Sequence, residues 1–374
     1  MKQLIIIGGG YAGTEVIRQL VLRGVNNIQV ELISASPFFE NTIAGTEVIS
    51  EKLRSENLRY DLKLLSSYWG FDLTVARVKE VDLDEKTVKL ENGQRSYDIL
   101  VVASGSAPNF YNIKGAGLAA TSYRLSDFEL INSRLKQLAS DHPSIVIAGA
   151  GYVGLEVAAE ITDLLASLDR RARVTVVEKM QHVLPGFGNE PARRMAVEAL
   201  ASKGVVFSMG KGVMQISENS VMLEDGSRLE SDLTIWSGGV KASDLASNIR
   251  GASLRNGYVE VDQRLLIKGR NNAFAIGDLA YVSINGNVAQ KMAAEALGQA
   301  ATVARNIASM VNGEAPKTVH KIDYPVDFPK VLLSVGGGKA ILIFGPQYAS
   351  IGNVEYFLKR RIDIDEMVSR FPSL

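Results

Sequence analysis

Two glycine clusters carry the clearest chemistry in the chain: Gly8-Gly9-Gly10-Tyr11-Ala12-Gly13 and Gly149-Ala150-Gly151-Tyr152-Val153-Gly154. Both read GxGxxG. In that pattern the first glycine (Gly8, Gly149) permits a tight turn out of a strand. The second (Gly10, Gly151) lets backbone approach a pyrophosphate, and the third (Gly13, Gly154) lets helix and strand pack closely. Free N–H groups and the positive end of the following helix then face the phosphates. A single such turn also occurs as plain strand-to-helix punctuation. Two copies in matching surroundings point to two bound dinucleotides.

The surroundings do match. Leu4–Ile7 reads as a buried strand, and the first cluster is followed by a helical stripe at Val16, Ile17, Leu20 and Val21, then a second strand over 28–33. Downstream, Ile145-Val146-Ile147 precedes the second cluster. A stripe at Val157, Ile161, Leu164, Leu165 and Leu168 follows, then a strand over 174–177 that ends at Glu178. Each copy is a strand–turn–helix–strand unit. Short strands with turn signals follow each copy, over 74–103 and 205–239. They end in Tyr97-Asp98-Ile99-Leu100-Val101-Val102-Ala103-Ser104-Gly105 and Ser231-Asp232-Leu233-Thr234-Ile235-Trp236-Ser237-Gly238-Gly239. The expected fold is α/β, with two Rossmann-like domains, each a parallel sheet plus a β-meander.

Glu178 stands where a carboxylate accepts hydrogen bonds from a ribose 2′-OH, which favours NADH over NADPH; a solvated strand-end acid is the other reading. The equivalent first-module position is Ser34, a weaker acceptor. Composition removes whole classes of function. The 374 residues contain no cysteine, so thiol, disulfide, iron–sulfur and thiolate-zinc chemistry are excluded. His142, His182 and His320 are too scattered for a metal set or a triad. Forty-one basic residues balance forty-one acidic ones, so nucleic acid is not an expected partner. No stretch is long and apolar enough for a transmembrane span or signal peptide.

Taken in order, IIIGGGYAG, YDILVVASGS, IAGAGYVGLEVAAE, IWSGG and Asn272-Ala273-Phe274-Ala275-Ile276-Gly277-Asp278 resemble the two-dinucleotide-binding-domain flavoproteins over nearly the whole chain. Within them the chain is similar to type II NADH dehydrogenases and apoptosis-inducing-factor-like (ferroptosis-suppressor-like) oxidoreductases. The resemblance implies FAD in the first module, bound by Gly8, Gly10, Tyr11, Ala12, Gly13, Ser34, Ala103, Ser104, Gly105, Gly277, Asp278, Gln290 and Lys291. It implies NADH in the second, bound by Gly149, Gly151, Tyr152, Val153, Gly154, Glu178, Gly238 and Gly239. The FAD domain would comprise 1–112 and 240–315, with the NAD domain inserted at 113–239. A small α+β domain, 316–374, would cover the flavin face and offer a membrane, partner or dimer contact.

The same resemblance assigns reactive positions. Ala289-Gln290, opening a helix from Met292 to Ile307, matches an Ala-Gln sequence beside the flavin and quinone; Ala294-Glu295 replaces the Gln pair that often follows. Glu156 matches an acid near the nicotinamide, while Glu160 reads as a helix-surface acid. Asn41, in Phe38–Ala44, is placed beside the flavin or in a turn. Ile351, Val354, Phe357 and Leu358 form a stripe ending at Lys359-Arg360-Arg361, suited either to weak membrane contact through 347–361 or to core packing. Together these imply an FAD-dependent NADH:quinone oxidoreductase without redox cysteines, cytoplasmic or peripheral on the cytoplasmic membrane face. A reductase of a ferredoxin- or rubredoxin-type carrier and a slow-turnover interaction protein are the alternatives.

Overall fold

The two halves of the chain build the same sheet. Within the computed structural model, which describes residues 1–139, 142–325 and 328–371, the first sheet has five parallel strands in the order Ala273–Ala275, Ile99–Val102, Lys2–Ile7, Ile28–Ser34, Asp72–Val75. The second runs Ala120–Thr121, Leu233–Trp236, Ser144–Ala148, Arg173–Glu178, Val205–Met209, again all parallel. Leu4–Ile7 and Ile145–Ala148 are buried, as continuous apolar runs in the middle of a parallel sheet must be.

The helices Tyr11–Leu22 and Tyr152–Ser167 pack their apolar stripes onto these strands. Val16, Ile17 and Leu20 are buried, as are Val157, Ile161, Leu164 and Leu165, whereas Val21 and Leu168 from the expected stripes face solvent. Each module adds a three-stranded meander, Val78–Asp82, Thr87–Leu90, Gln94–Ser96 and Val213–Ser217, Ser220–Leu223, Arg228–Glu230.

Asp98 and Asp232 close the modules identically. The Asp98 side chain accepts from the Gln3 amide at 2.7 Å, and that of Asp232 from the Ser144 amide at 2.8 Å. Each clamps the base of its central strand to the strand beside it.

The edge strand Ala273–Ala275 of the first sheet comes after every strand of the second sheet, so the chain crosses between modules twice. The two crossings lie side by side: Ser106–Pro108 pairs antiparallel with Val240–Ala242, and Ser104 Oγ lies 2.7 Å from Ser243 Oγ. After the second crossing comes the long helix Ala293–Val311, which starts one residue later and ends four later than expected; Gln290 precedes it, outside any helix or strand.

The C-terminal segment is an antiparallel sheet, Lys330–Gly336, Lys339–Phe344, Tyr348–Gly352, followed by the helix Asn353–Arg370. Leu333, Val335, Ile341 and Ile343 join the second module's core. The last helix has its polarity inverted. Val354, Phe357, Leu358, Ile362, Ile364 and Val368 are exposed, Val354 at 77% and Phe357 at 70%, while Lys359 and Arg370 are buried. The expected stripe with a basic tip is therefore corrected in two respects. Ile351 lies in the preceding strand, and Lys359 and Arg360 turn inward because carboxylates from both modules await them.

Candidate functional site

Both glycine turns have the geometry their pattern demands. Gly8 and Gly149 have φ of +114° and +110°, and a Cβ on either would lie 2.2 Å from the Ala103 carbonyl oxygen or 2.4 Å from that of Ser237. A Cβ on Gly13 or Gly154 would lie 2.0 Å from the carbonyl oxygen of Gly8 or Gly149. Gly10 and Gly151, by contrast, face space with no heavy atom within 4 Å of an added Cβ, and no side chain caps either helix. Open space before uncapped helix N–H groups is a cradle that fits a pyrophosphate.

The first cradle is completed from the distant edge strand. A Cβ on Gly277 would lie 3.4 Å from Ala12 Cβ and 3.9 Å from Ala296 Cβ. The N-terminal turns of the helices Tyr11–Leu22 and Ala293–Val311 thus converge on the Gly277-Asp278 turn, and two positive helix ends lie beside it. Ser106 Oγ donates to Asp278 at 2.7 Å and meets the Tyr123 hydroxyl at 2.9 Å. Lys291 donates to the Ala280 carbonyl and sits 4.5 Å from the Tyr258 ring centroid. Burial pulls its pKa down to about 8, against the opposing pull of Asp278.

The strand-end positions differ between modules. Glu178 accepts from the amides of Ala150 and Met180, both at 2.9 Å, and so points back along the second glycine turn. Ser34 instead closes on its own chain, donating to the Ser36 carbonyl at 2.7 Å. Beyond Glu178, Gly238 and Gly239 follow the strand Leu233–Trp236; Gly239 has φ +118°, and an added Cβ would meet the Tyr111 hydroxyl at 2.9 Å.

Asn41 is buried and joins the first glycine turn to the last helix. Its Oδ1 accepts from the Tyr11 hydroxyl at 2.7 Å, and its Nδ2 donates to Asp363 at 2.9 Å. Burial raises the Asp363 pKa, countered by the Asn41 hydrogen bond and then by Arg360. Gln290 donates through its side chain to the Pro325 carbonyl at 2.8 Å.

Glu156 is also buried, and Lys359 of the last helix donates to it. It further accepts from the Ser334 amide at 2.9 Å and from Thr46 Oγ1 at 3.1 Å. Burial opposes the Lys359 charge, but Glu156, Tyr152 and Glu47 together outweigh it and hold the ammonium pKa above its ordinary value. Glu160 is not the surface acid expected. It is fully buried, takes Ser50 Oγ–H and Lys52, the latter at 2.8 Å, and its pKa is raised by burial against the pull of Lys52. Helical spacing put it on the same face as Glu156, and that face is covered by segments remote in sequence.

Residues 2–305 match the model of the pyridine nucleotide-disulphide oxidoreductase family. The chain belongs to that family. It is 26% identical, over 97% of its own length and 94% of the relative's, to a type II NADH:quinone oxidoreductase of Staphylococcus aureus. Its fold is shared with NDH2 from Plasmodium falciparum, with a TM-score of 0.85, 16% identity, and coverage of 99% of this chain and 96% of that one. A sulfide:quinone oxidoreductase of Aquifex aeolicus also matches, with a TM-score of 0.84, 18% identity, and coverage of 99% and 92%.

As a family member the chain is a pyridine-nucleotide oxidoreductase, and the Staphylococcus aureus relative is by name an NADH:quinone oxidoreductase. It contains no cysteine, so the disulphide of the family's name plays no part in it. Among the described residues no acidic or histidine cluster could hold a metal, and no helix is long and apolar enough to cross a membrane.

Several residues around the site escaped the sequence reading. Asp363, Thr46, Tyr123 and Tyr258 lie in no glycine motif, Ser106 ends the run YDILVVASGS without being singled out by it, and the Asn41–Asp363 contact spans 322 positions. Arg370 is fully buried, donates to Thr14 Oγ1 at 2.8 Å and lies 3.1 Å from Glu15.

Proposed function

We propose that the chain carries electrons from NADH through FAD to a quinone at a membrane surface. The observation that supports this best is the inverted last helix. Its inner, charged side holds Asp363 against Asn41 and Tyr11 at the first glycine turn, while its outer side exposes Val354, Phe357, Leu358, Ile362, Ile364 and Val368. Phe344, Tyr348 and Ile351 extend the same apolar character onto the adjacent sheet. A face of this kind suits the boundary of a bilayer and an acceptor dissolved in it, better than it suits an acidic carrier protein.

In this reading Gly8–Gly13, Ala103–Gly105 and Gly277-Asp278 would hold FAD, and Gly149–Gly154 would hold NADH with Glu178 on its ribose. A bound flavin would supply two-electron chemistry, with the nicotinamide as hydride donor. The two helix ends at Gly277 bind and orient phosphate and favour negative charge there. Asn41, held by Asp363 and Tyr11, keeps one amide orientation. Gln290 is fixed to the Pro325 carbonyl at the mouth of the long helix. Glu156, with Lys359 and Thr46, supplies a buried charge pair between the modules.

The test is an anaerobic titration of the holoenzyme. NADH is expected to bleach the flavin band, NADPH to do so far more weakly, and a quinone to restore it. A flavin that NADH leaves oxidised would overturn the reading. Faster steady-state turnover with a ferredoxin or rubredoxin than with a soluble quinone would transfer it to the carrier-reductase alternative. Sedimentation with anionic vesicles should be lost when Phe357 and Ile362 are replaced by Ser.

A further inference from the structure

A polar chain runs behind Gly277 through the long helix. The Gly277 amide donates to Gln299 Oε1 at 2.8 Å, and Gln299 Nε2 donates to Glu295 Oε1 at 3.2 Å. His320 Nε2 lies 2.7 Å from the same oxygen, and its Nδ1 lies 3.3 Å from Thr302 Oγ1. The other oxygen of Glu295 accepts from the amides of Asp323 and Tyr324 at 3.2 and 3.1 Å. Glu295, Gln299, Thr302 and His320 are all buried. Four donors converging on two oxygens suit an ionised carboxylate; a glutamine here would turn an NH2 group toward some of them.

The same carboxylate organises the segment on the far side. Tyr324, whose amide it holds, accepts through its carbonyl from the Gln290 amide at 3.2 Å, and the neighbouring Pro325 accepts from the Gln290 side chain. Glu295 therefore ties Gly277 on one side and the anchor of Gln290 on the other.

We propose that Glu295 is a positioning residue for the flavin end of the site, and that its charge, offset when His320 carries a proton, sets how readily the flavin is reduced. This rests on the reading that places FAD along Gly277-Asp278. Glu295 occupies the third position of the helix Ala293–Val311, in the turn whose positive end faces that site. A buried negative charge there cancels part of the helix end's attraction for an anionic reduced flavin. A proton on His320 makes the pair neutral and restores it. The other charged groups near His320 are Asp323 and Lys321 of its own segment and the Asp262–Arg264 ion pair; the Gln263 carbonyl between those two accepts from the His320 amide.

The experiment is an anaerobic redox titration of the FAD-loaded protein against a reference dye at a series of pH values. In Glu295→Gln the ratio of reduced to oxidised flavin at a fixed dye potential should rise about tenfold, which is about 30 mV for a two-electron couple. In His320→Gln, which keeps a donor to Glu295 without the titration, the potential should vary less steeply with pH than in the parent protein. Matching potentials in Glu295→Gln and the parent would overturn the proposal, as would an unchanged pH slope in His320→Gln. If Glu295→Gln retains no FAD, the His320→Gln slope decides alone. A parent protein that takes up no FAD on reconstitution would instead overturn the reading of the nucleotide site, and this inference with it.

Discussion

The two nucleotide modules share a skeleton and differ at the end of their second strand. The turn glycines meet the same carbonyls at nearly the same distances, and Asp98 and Asp232 make the same clamp. Yet Glu178 presents a carboxylate held by two backbone amides, whereas Ser34 is occupied by Ser36. In the proposed reading the first module would draw its recognition from elsewhere, in the edge strand Ala273–Ala275, the Gly277-Asp278 turn and a second helix end. Two modules of one design would then bind by different means, one through a strand-end acid within its own sequence unit, the other through a second helix that follows the second crossing between modules.

The largest test of the shared skeleton is a Cβ at the turn. Gly149→Ala should cut flavin reduction by NADH more than about a hundredfold while the protein stays yellow, since the clash with Ser237 is confined to the second module. Gly8→Ala should lose FAD and at least about 3 kcal/mol of stability, read by flavin content and chemical denaturation. If both variants lose FAD, the modules are not separable.

The last helix is anchored to both modules, and the two anchors can be compared directly. Lys359→Met leaves Glu156 buried without its cation and should cost about 3–5 kcal/mol in denaturant unfolding. Adding Glu156→Gln should recover most of that loss. A double variant no more stable than Lys359→Met would mean that the lysine acts through packing alone. Glu178→Ser, which gives the second module the first module's residue, should weaken NADH about tenfold and erase most of the preference over NADPH, measured as apparent Kd in flavin-reduction titrations.

Lys291 brings pH into the comparison, because it serves only the first module. Its pKa falls from 10.5 to about 8 through burial. Below that value folded and unfolded chains both keep the proton, and the folded chain carries the cost of a buried charge. Between about 8 and 10.5 the folded chain sheds it first, so that cost relaxes as pH rises. Binding runs the other way, since the charged ammonium is the form that favours an anionic cofactor. FAD association with the apoprotein should weaken several-fold as pH rises through about 8. Lys291→Met should flatten that limb, while NADH binding to the second module keeps its own profile.

Much of this architecture was legible in the chain, because it is written in local pattern. Leu4–Ile7 and Ile145–Ala148 are apolar runs ending in glycine, and such runs have few alternatives to a buried parallel strand. The edge strand ending at Gly277-Asp278 was legible through its motif. The burial of Glu160 was not, nor were the inward turn of Lys359 and the links from Asn41 to Asp363 and from Glu295 to His320. Each depends on a partner far away in sequence, and periodicity reports a helix face without reporting what covers it. Ile351, Val354, Phe357 and Leu358 show this from the other side. Their spacing allowed either a core stripe or an outer one, and only the carboxylates waiting on the opposite face decided for the outer.

Ser34 gives the smallest and sharpest test of how the modules differ. A ribose-binding role would make the hydroxyl necessary for holding FAD, and its replacement would release the cofactor. The structure commits that hydroxyl to the Ser36 carbonyl, with the Ser36 amide donating back at 3.3 Å. Ser34→Ala should therefore cost about 1 kcal/mol of stability through the lost turn bond and leave the bound FAD content unchanged. A fall in FAD content larger than the change in stability would show that the serine turns toward the cofactor when it binds, and the modules would then share their strand-end recognition after all.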